Sequence, residues 1–354
     1  MDGINVIAVE TFNLTPDFSI SRIIKGGWQL SQGHSQEAKN DPIEGMFAFA
    51  EKGVITFDCA DIYTGVEELI GRFLALRKER FGRNDDIKVL TKFVPDYDVL
   101  ASINKRYVER IIDRSLLRLK KERLDMVQFS WWSYDIPGYV ETAFWLKELQ
   151  QSGKIHLISG TNFNSKATKE MLDAGVALST LQVQYSLLDN RPEKELVPLC
   201  TKNNILLLCY GTVAGGFLSE RWLGAIEPKP PFENRSLVKY KLMINEFGGW
   251  NLFQTLLQTL QQIAKKHKAS ISNIASAYML SRRQVAGIII GARTTDHLDE
   301  NLRVFDLRLD YGDKENIERA INQRKGPEGD VFDIERIKDG PHGVIMRYNL
   351  NESV

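Results

Sequence analysis

Between about residue 20 and residue 310, short continuous apolar runs alternate with longer stretches whose apolar residues recur every three to four positions. A strand buried on both faces reads as an unbroken apolar run, and a helix laid against a sheet shows the three-to-four repeat. The runs predict strands over 21–26, 55–59, 87–93, 126–130, 155–160, 180–184, 205–210 and 286–290. The repeats predict helices over 65–81, 102–118, 138–151, 165–173, 192–202, 251–268 and 296–304, with additional helices over 269–282 and 313–322. Eight βα units of this kind close into one α/β structure, a (β/α)8 TIM barrel. No Pro/Gly-rich linker divides them, so residues 1–325 are expected to form a single barrel domain with extra helices.

Two segments break the repeat. Residues 212–250, with Pro228, Pro230, Pro231 and the Gly248-Gly249 pair, are too long for an ordinary βα connection, and their place after the seventh strand suggests a lid. The C-terminal tail, 326–354, is loop-like with some alternation over 343–348, and reads either as a disordered terminus or as a cover over one barrel end.

Composition narrows the function classes. Of 354 residues 43% are hydrophobic and 26% charged, which suits a globular chain rather than a disordered or fibrous one. The 46 Lys and Arg residues balance 46 Asp and Glu residues, and no like-charge block marks a nucleic-acid footprint. No apolar run approaches the roughly 20 residues that span a bilayer. Met1-Asp2-Gly3-Ile4-Asn5-Val6 carries acid where a targeting peptide needs base. Cys59, Cys200 and Cys209 fit neither a zinc site nor a paired framework and read as reduced, buried thiols. A cytoplasmic protein without a metal, nucleic-acid or membrane partner is expected.

Chemistry in such a barrel comes from the C-terminal ends of several strands. The second strand runs into Thr56-Phe57-Asp58-Cys59-Ala60-Asp61-Ile62-Tyr63, and the third ends in Leu90-Thr91-Lys92-Phe93. A lysine inside an apolar strand must be paired or lose its charge, and Asp58 on the adjacent strand is the partner at hand. A cation beside a phenol favours phenolate, so Lys92 is expected to lower the pKa of Tyr63 below about 10 and make it a metal-free proton donor to a carbonyl oxygen. A buried Asp–Lys pair is more often structural than catalytic. Convergence of three complementary groups on neighbouring strand ends favours catalysis.

Phe57-Asp58-Cys59-Ala60-Asp61-Ile62-Tyr63-Thr64-Gly65-Val66-Glu67, Thr91-Lys92, Gly160-Thr161-Asn162-Phe163-Asn164, Gln182-Val183-Gln184-Tyr185-Ser186 and Ile290-Gly291-Ala292-Arg293-Thr294 occur in an order that resembles the aldo-keto reductases. The resemblance covers nearly the whole chain. It implies a barrel that binds NADPH in extended form, with NADH as the alternative, and reduces a small-molecule aldehyde or ketone. That agrees with the lack of a GxGxxG fingerprint after any strand. Of the family's Asp, Tyr, Lys and His tetrad, three carry over as Asp58, Tyr63 and Lys92, while Ser130 stands at the histidine position. Serine is shorter and cannot become cationic, and losing one preorganised donor costs on the order of 100-fold in rate. Alternatively, the Ser130 hydroxyl or a water serves the same geometry.

The resemblance also assigns cofactor contacts. Thr161, Asn162 and Gln182 match carboxamide-binding positions, and Tyr210 matches the ring beneath the nicotinamide. Gly211, Val213 and Gly215 lie in a backbone-rich loop suited to pyrophosphate, although the family usually has Ser-Pro where Gly211-Thr212 stand. Gly27 and Trp28 follow the first strand on the cofactor side. Gly291 and His297 occupy frequent lysine and arginine positions, leaving Arg293 for a 2′-phosphate, and Glu300 and Asn301 match adenine contacts. Trp28, Trp131 and Trp132, with Tyr63, are expected to line an apolar substrate mouth. Channel-associated β subunits in the superfamily set a precedent for a second reading, a low-activity nicotinamide-binding regulator or sensor, motivated by Ser130.

Overall fold

The computed structural model describes residues 8–31, 41–292 and 294–351. It opens with an antiparallel hairpin of β1 (Thr11–Thr15) and β2 (Phe18–Ser21). The strands β3 (Ile23–Gly26), β4 (Thr56–Asp58), β5 (Lys88–Phe93), β6 (Leu124–Phe129), β7 (Ile155–Thr161), β8 (Thr180–Gln184), β9 (Leu206–Tyr210) and β10 (Val285–Gly291) then close into a parallel barrel, with β10 returning to β3. All eight predicted strands are present, with boundaries moved by at most two residues.

Around the barrel lie α1 (Pro42–Glu51), α2 (Val66–Phe81), α3 (Lys105–Leu119), α4 (Tyr139–Gln151), α5 (Ser165–Asp173), α6 (Leu196–Asn203), α7 (Arg235–Phe247), α8 (Trp250–His267), α9 (Ile271–Leu280), α10 (Leu298–Leu302) and α11 (Tyr311–Ile321), and the tail adds the short α12 (Asp333–Arg336). Strand residues alternate in direction. Ile24, Leu90, Met126, Leu157, Leu208 and Ala286 pack inside the barrel, where Phe18 and Ile20 of β2 join them. Ile23, Phe57, Val89, Val127, Ile158, Leu181 and Leu207 face the helices.

Besides the short α12 in the tail, the periodicity overlooked three features. The β1–β2 hairpin is one. Helix α1 is another, although Asp41 caps it by accepting from the Ile43 N–H and Pro42 stands in its first turn, both recognised start signals. The third corrects the long loop after the seventh strand: its second half is α7, capped by Asn234 and anchored by buried Leu237, Tyr240, Met243, Ile244 and Phe247. The predicted helix over 296–304 is the short α10 followed by a 3-10 turn, Arg303–Asp306, and the one over 192–202 likewise starts with a 3-10 turn.

The described part of the tail packs across the strand C-termini. The Arg191 guanidinium donates to both oxygens of Glu335 at 3.0 Å, and to both of Asp189 at 2.9 and 2.7 Å. Further along, the Leu350 and Asn351 N–H groups donate to Asp96 Oδ1 at 2.8 and 2.9 Å, and Asn351 Nδ2 donates to the Val94 carbonyl at 2.7 Å. No described helix is long and apolar enough to cross a membrane. The amino-terminal residues Met1 to Val6 lie outside the described residues.

Candidate active site

The interior positions just above the apolar barrel core are polar. Two residues beyond Leu90 on the same face stands Lys92, two beyond Met126 stands Gln128, and β8 turns Gln182 inward between the outward Leu181 and Val183. The register sets Asp58 beside Leu90 and Lys92 beside Gln128. Lys92 Nζ donates to Asp58 Oδ1 at 2.9 Å and Oδ2 at 2.7 Å, and to the Cys59 carbonyl at 2.8 Å. Both side chains of this ion pair are only 5% exposed. Asp58 Oδ1 also accepts from Gln182 Nε2 at 2.6 Å and Gln128 Nε2 at 2.9 Å.

The expected pairing of Lys92 with Asp58 is therefore present, and Tyr63 is brought to it. Lys92 Nζ lies 4.9 Å from the centre of the Tyr63 ring, which packs 5.1 Å from that of Trp28. Burial works to lower the Lys92 pKa, but the Asp58 carboxylate and the Tyr63 phenol outweigh it and raise it to about 12. The expected lowering of Tyr63 does not follow. Burial pushes its phenol above the usual value, Lys92 pulls the other way, and the Asp58 charge adds to the rise.

A cavity of about 1520 Å³ opens over this cluster. Trp28, Asp58, Tyr63, Lys92, Ser130 and Trp132 line its floor and wall. The Ser130 hydroxyl has no hydrogen-bond partner among the described residues, so it is available to a ligand. Thr161, Asn162, Gln182 and Tyr210 lie together on the next strand ends, with Tyr210 Oη donating to Asn162 Oδ1 at 2.8 Å. Gly211, Val213 and Gly215 continue the lining; Gly211 and Gly215 adopt φ of 78° and 62°, and a Cβ on Gly211 would fall 2.5 Å from Tyr240 Oη. Gly291, His297, Glu300 and Asn301 form the far end, where the Glu300 carboxylate accepts from Asn273 and Arg303.

Two predicted residues within the described part of the chain are not brought to the cavity lining. Trp131 is 1% exposed and packs in the core against Phe129 and Tyr139, its indole N–H donating to the Ile136 carbonyl. The outward direction of Phe129 carries on through Trp131, which assigns it to the helix layer. Gly27 is buried behind the wall, where its N–H donates to the Asp58 carbonyl and a Cβ would lie 2.7 Å from that oxygen. Arg293 lies outside the described residues.

Other residues at or just behind the lining escaped the sequence reading. Gln128, although behind the lining, ties the cluster together, and its signal was an amide inside an otherwise apolar strand. Lys239 on α7 has its ammonium 4.8 Å from the Tyr210 ring centre, and burial lowers its pKa. The tail contributes Phe332, Val344, Ile345, Met346 and Leu350. Gln29 Oε1 and Thr212 Oγ1 are buried at the cavity without a hydrogen-bond partner among the described residues. Orphaned acceptors and hydroxyls, an amide cluster and a glycine loop of left-handed conformation together could hold an extended nicotinamide dinucleotide.

A closed parallel barrel with a lysine, carboxylate and tyrosine at the C-terminal mouth defines a barrel protein with its chemistry on the strand ends. Residues 22–322 match the model of the Aldo/keto reductase family, and the chain belongs to that family, whose members are oxidoreductases acting on carbonyls with nicotinamide cofactors. Among relatives, the aldo-keto reductase yakc, NADP(+), of Schizosaccharomyces pombe is 26% identical, the match covering 84% of this chain and 86% of the relative. The NADH-specific methylglyoxal reductase of Escherichia coli is 24% identical over 84% of this chain and 94% of the relative. The solved structure of the glycerol dehydrogenase AKR11B4 from Gluconobacter oxydans superposes with a TM-score of 0.73 at 21% identity, covering 92% of this chain and 98% of that one, which shows the fold.

Proposed function

We propose that this protein is a carbonyl reductase dependent on NADPH, with NADH as the alternative, in which Tyr63 is the general acid. The observation that carries the reading is the buried Asp58–Lys92 pair set against the Tyr63 phenol on the floor of the cavity. The bound nicotinamide supplies the hydride that reaches the carbonyl carbon. Tyr63 Oη gives its proton to the carbonyl oxygen, which becomes the alcohol, and Lys92 stabilises the phenolate left behind. Asp58 keeps Lys92 in place. A high resting pKa on Tyr63 keeps the proton on the phenol until charge develops on the carbonyl oxygen.

Gln182, Thr161 and Asn162 would hold the carboxamide, and Tyr210 beside them would pack against the nicotinamide. Gly211, Val213 and Gly215 receive the pyrophosphate, and His297, Glu300 and Asn301 receive the adenosine. Ser130 hydrogen-bonds the carbonyl oxygen with its unpaired hydroxyl, as a weaker donor than an imidazolium. Trp28, Trp132, Ile345, Met346 and Leu350 offer an apolar rim, which favours an aldehyde or ketone with an aromatic or alicyclic body. The three free, buried thiols suit a reducing compartment such as the cytoplasm. No observation in the structure favours the regulator reading over this one.

The test is a fluorescence titration with NADPH and NADH, followed by single-turnover oxidation of the bound cofactor with an aromatic aldehyde. Tyr63→Phe should bind cofactor as the wild type does and lose carbonyl reduction by at least about 100-fold. Unchanged reduction in that variant refutes the assignment.

A further inference from the structure

We propose that Gln128 is a positioning residue for both the cofactor amide and the proton donor, a role that rests on the carbonyl-reductase reading. Gln128 is fully buried within the barrel, beside Lys92 in register and above an interior made by Leu90, Met126, Leu157 and Leu208. An amide in such surroundings is costly unless it is hydrogen-bonded. Its Nε2 donates to Asp58 Oδ1 at 2.9 Å, and its Oε1 accepts from Gln182 Nε2 at 2.7 Å. Gln182 Nε2 in turn lies 2.6 Å from the same Asp58 oxygen.

The Asp58 carboxylate gives this chain its polarity. An ionised oxygen accepts only, so both glutamines must present nitrogen to it, and turning either amide over would set oxygen against oxygen. With its nitrogen held by Asp58 and Gln128, Gln182 is left to turn Oε1 toward the cavity as an acceptor for the amide N–H of a nicotinamide. Gln128 thereby selects the amide face that Gln182 offers without touching the ligand itself.

The second consequence concerns charge. Asp58 Oδ1 divides its negative charge among Lys92 and two neutral donors. Removing Gln128 concentrates that charge on Lys92, quenches more of the cation felt by Tyr63, and weakens the phenol as an acid.

Gln128→Met removes these bonds, and a long one of 3.5 Å to the Leu90 carbonyl, at nearly constant volume, and Gln128→Glu supplies the discriminating second variant. A protonated Glu donates to Asp58 and accepts from Gln182 as the native amide does, whereas an ionised one repels Asp58. Both variants are compared with the wild type by thermal melting, by NADPH fluorescence titration, and by the pH profile of kcat for aldehyde reduction. For Gln128→Met the NADPH Kd should rise about tenfold, and the basic limb of the kcat profile should move to higher pH. Gln128→Glu should match the wild type at acidic pH and lose affinity and kcat as pH rises. A lowered melting temperature with unchanged Kd and unchanged profile would make Gln128 a structural residue only and overturn the proposal. If the wild type binds NADPH but reduces no aldehyde or ketone, the reductase reading fails. The titration still decides the amide role of Gln128 in that case.

Discussion

Glu335 ties the tail to the barrel through Arg191, and its removal should be felt in stability and at the cavity together. Arg191 is 1% exposed and Glu335 carries no exposed side-chain surface. Glu335→Ala deletes two charge-assisted hydrogen bonds of 3.0 Å from a buried guanidinium that retains Asp189. Breaking a buried ion pair by removing one partner costs about 3–5 kcal/mol, and the surviving Asp189 pairing puts this case at the lower end, about 3 kcal/mol. Urea unfolding of the full chain, followed by tryptophan fluorescence, measures it. Burial works to raise the Glu335 pKa, but Arg191 outweighs it and holds the carboxyl below its ordinary value. A depressed folded-state pKa means the contribution is complete above the ordinary carboxylate range and is lost as pH falls through the folded value. Hence the difference between wild type and Glu335→Ala should shrink on acidification. Helix α12 also carries Arg336, which donates to the Asn162 carbonyl at 2.7 Å, so the variant should raise the cofactor KM. A loss below about 1 kcal/mol at neutral pH, or one that does not diminish on acidification, would show that the pair does not anchor the tail.

Two further outcomes follow from the site. Ser130→His restores a longer, ionisable donor at the carbonyl oxygen and should raise single-turnover reduction by on the order of 100-fold; a fall would mean the cavity is shaped around serine. Asp61, buried two residues before Tyr63, has its pKa pushed up to about 8 by burial and by Glu67, against the opposing Val94 N–H and Arg114. The folded state therefore binds this proton more tightly than the unfolded chain, so the residue lowers stability progressively from about pH 4 to pH 8. Asp61→Asn, which mimics the protonated form, should gain on the wild type across that window in urea unfolding, and a constant difference would disprove the assignment.

Most of the barrel was legible because buried parallel strands leave continuous apolar runs, and an interrupting charge demands a partner on the next strand. That logic alone pairs Lys92 with Asp58. The elements it overlooked lack such a signature. Helix α7 hides in a segment whose prolines and glycines all lie outside it, at 215–231 and 248–249. The tail's docking depends on Arg191 and Asp96, more than 140 residues away in sequence from Glu335 and Asn351. No local pattern records such a partner.

The direction of the Tyr63 pKa was illegible for a different reason. Sequence gives the neighbours of a phenol but not the balance between a favourable charge and lost hydration, and here burial dominates over Lys92. Alternation, by contrast, held more than was read from it. Continued past Phe129, it sends Ser130 to the cavity and Trp131 to the core, and continued back it places Gln128 inside the barrel beside Lys92. An amide fixed there by the pleat had to find a polar partner, and the carboxylate already required by Lys92 was within reach. The same period that built the barrel thus orders the chain from Gln182 through Gln128 and Asp58 to Lys92, which sets the charge beside Tyr63, the proposed proton donor.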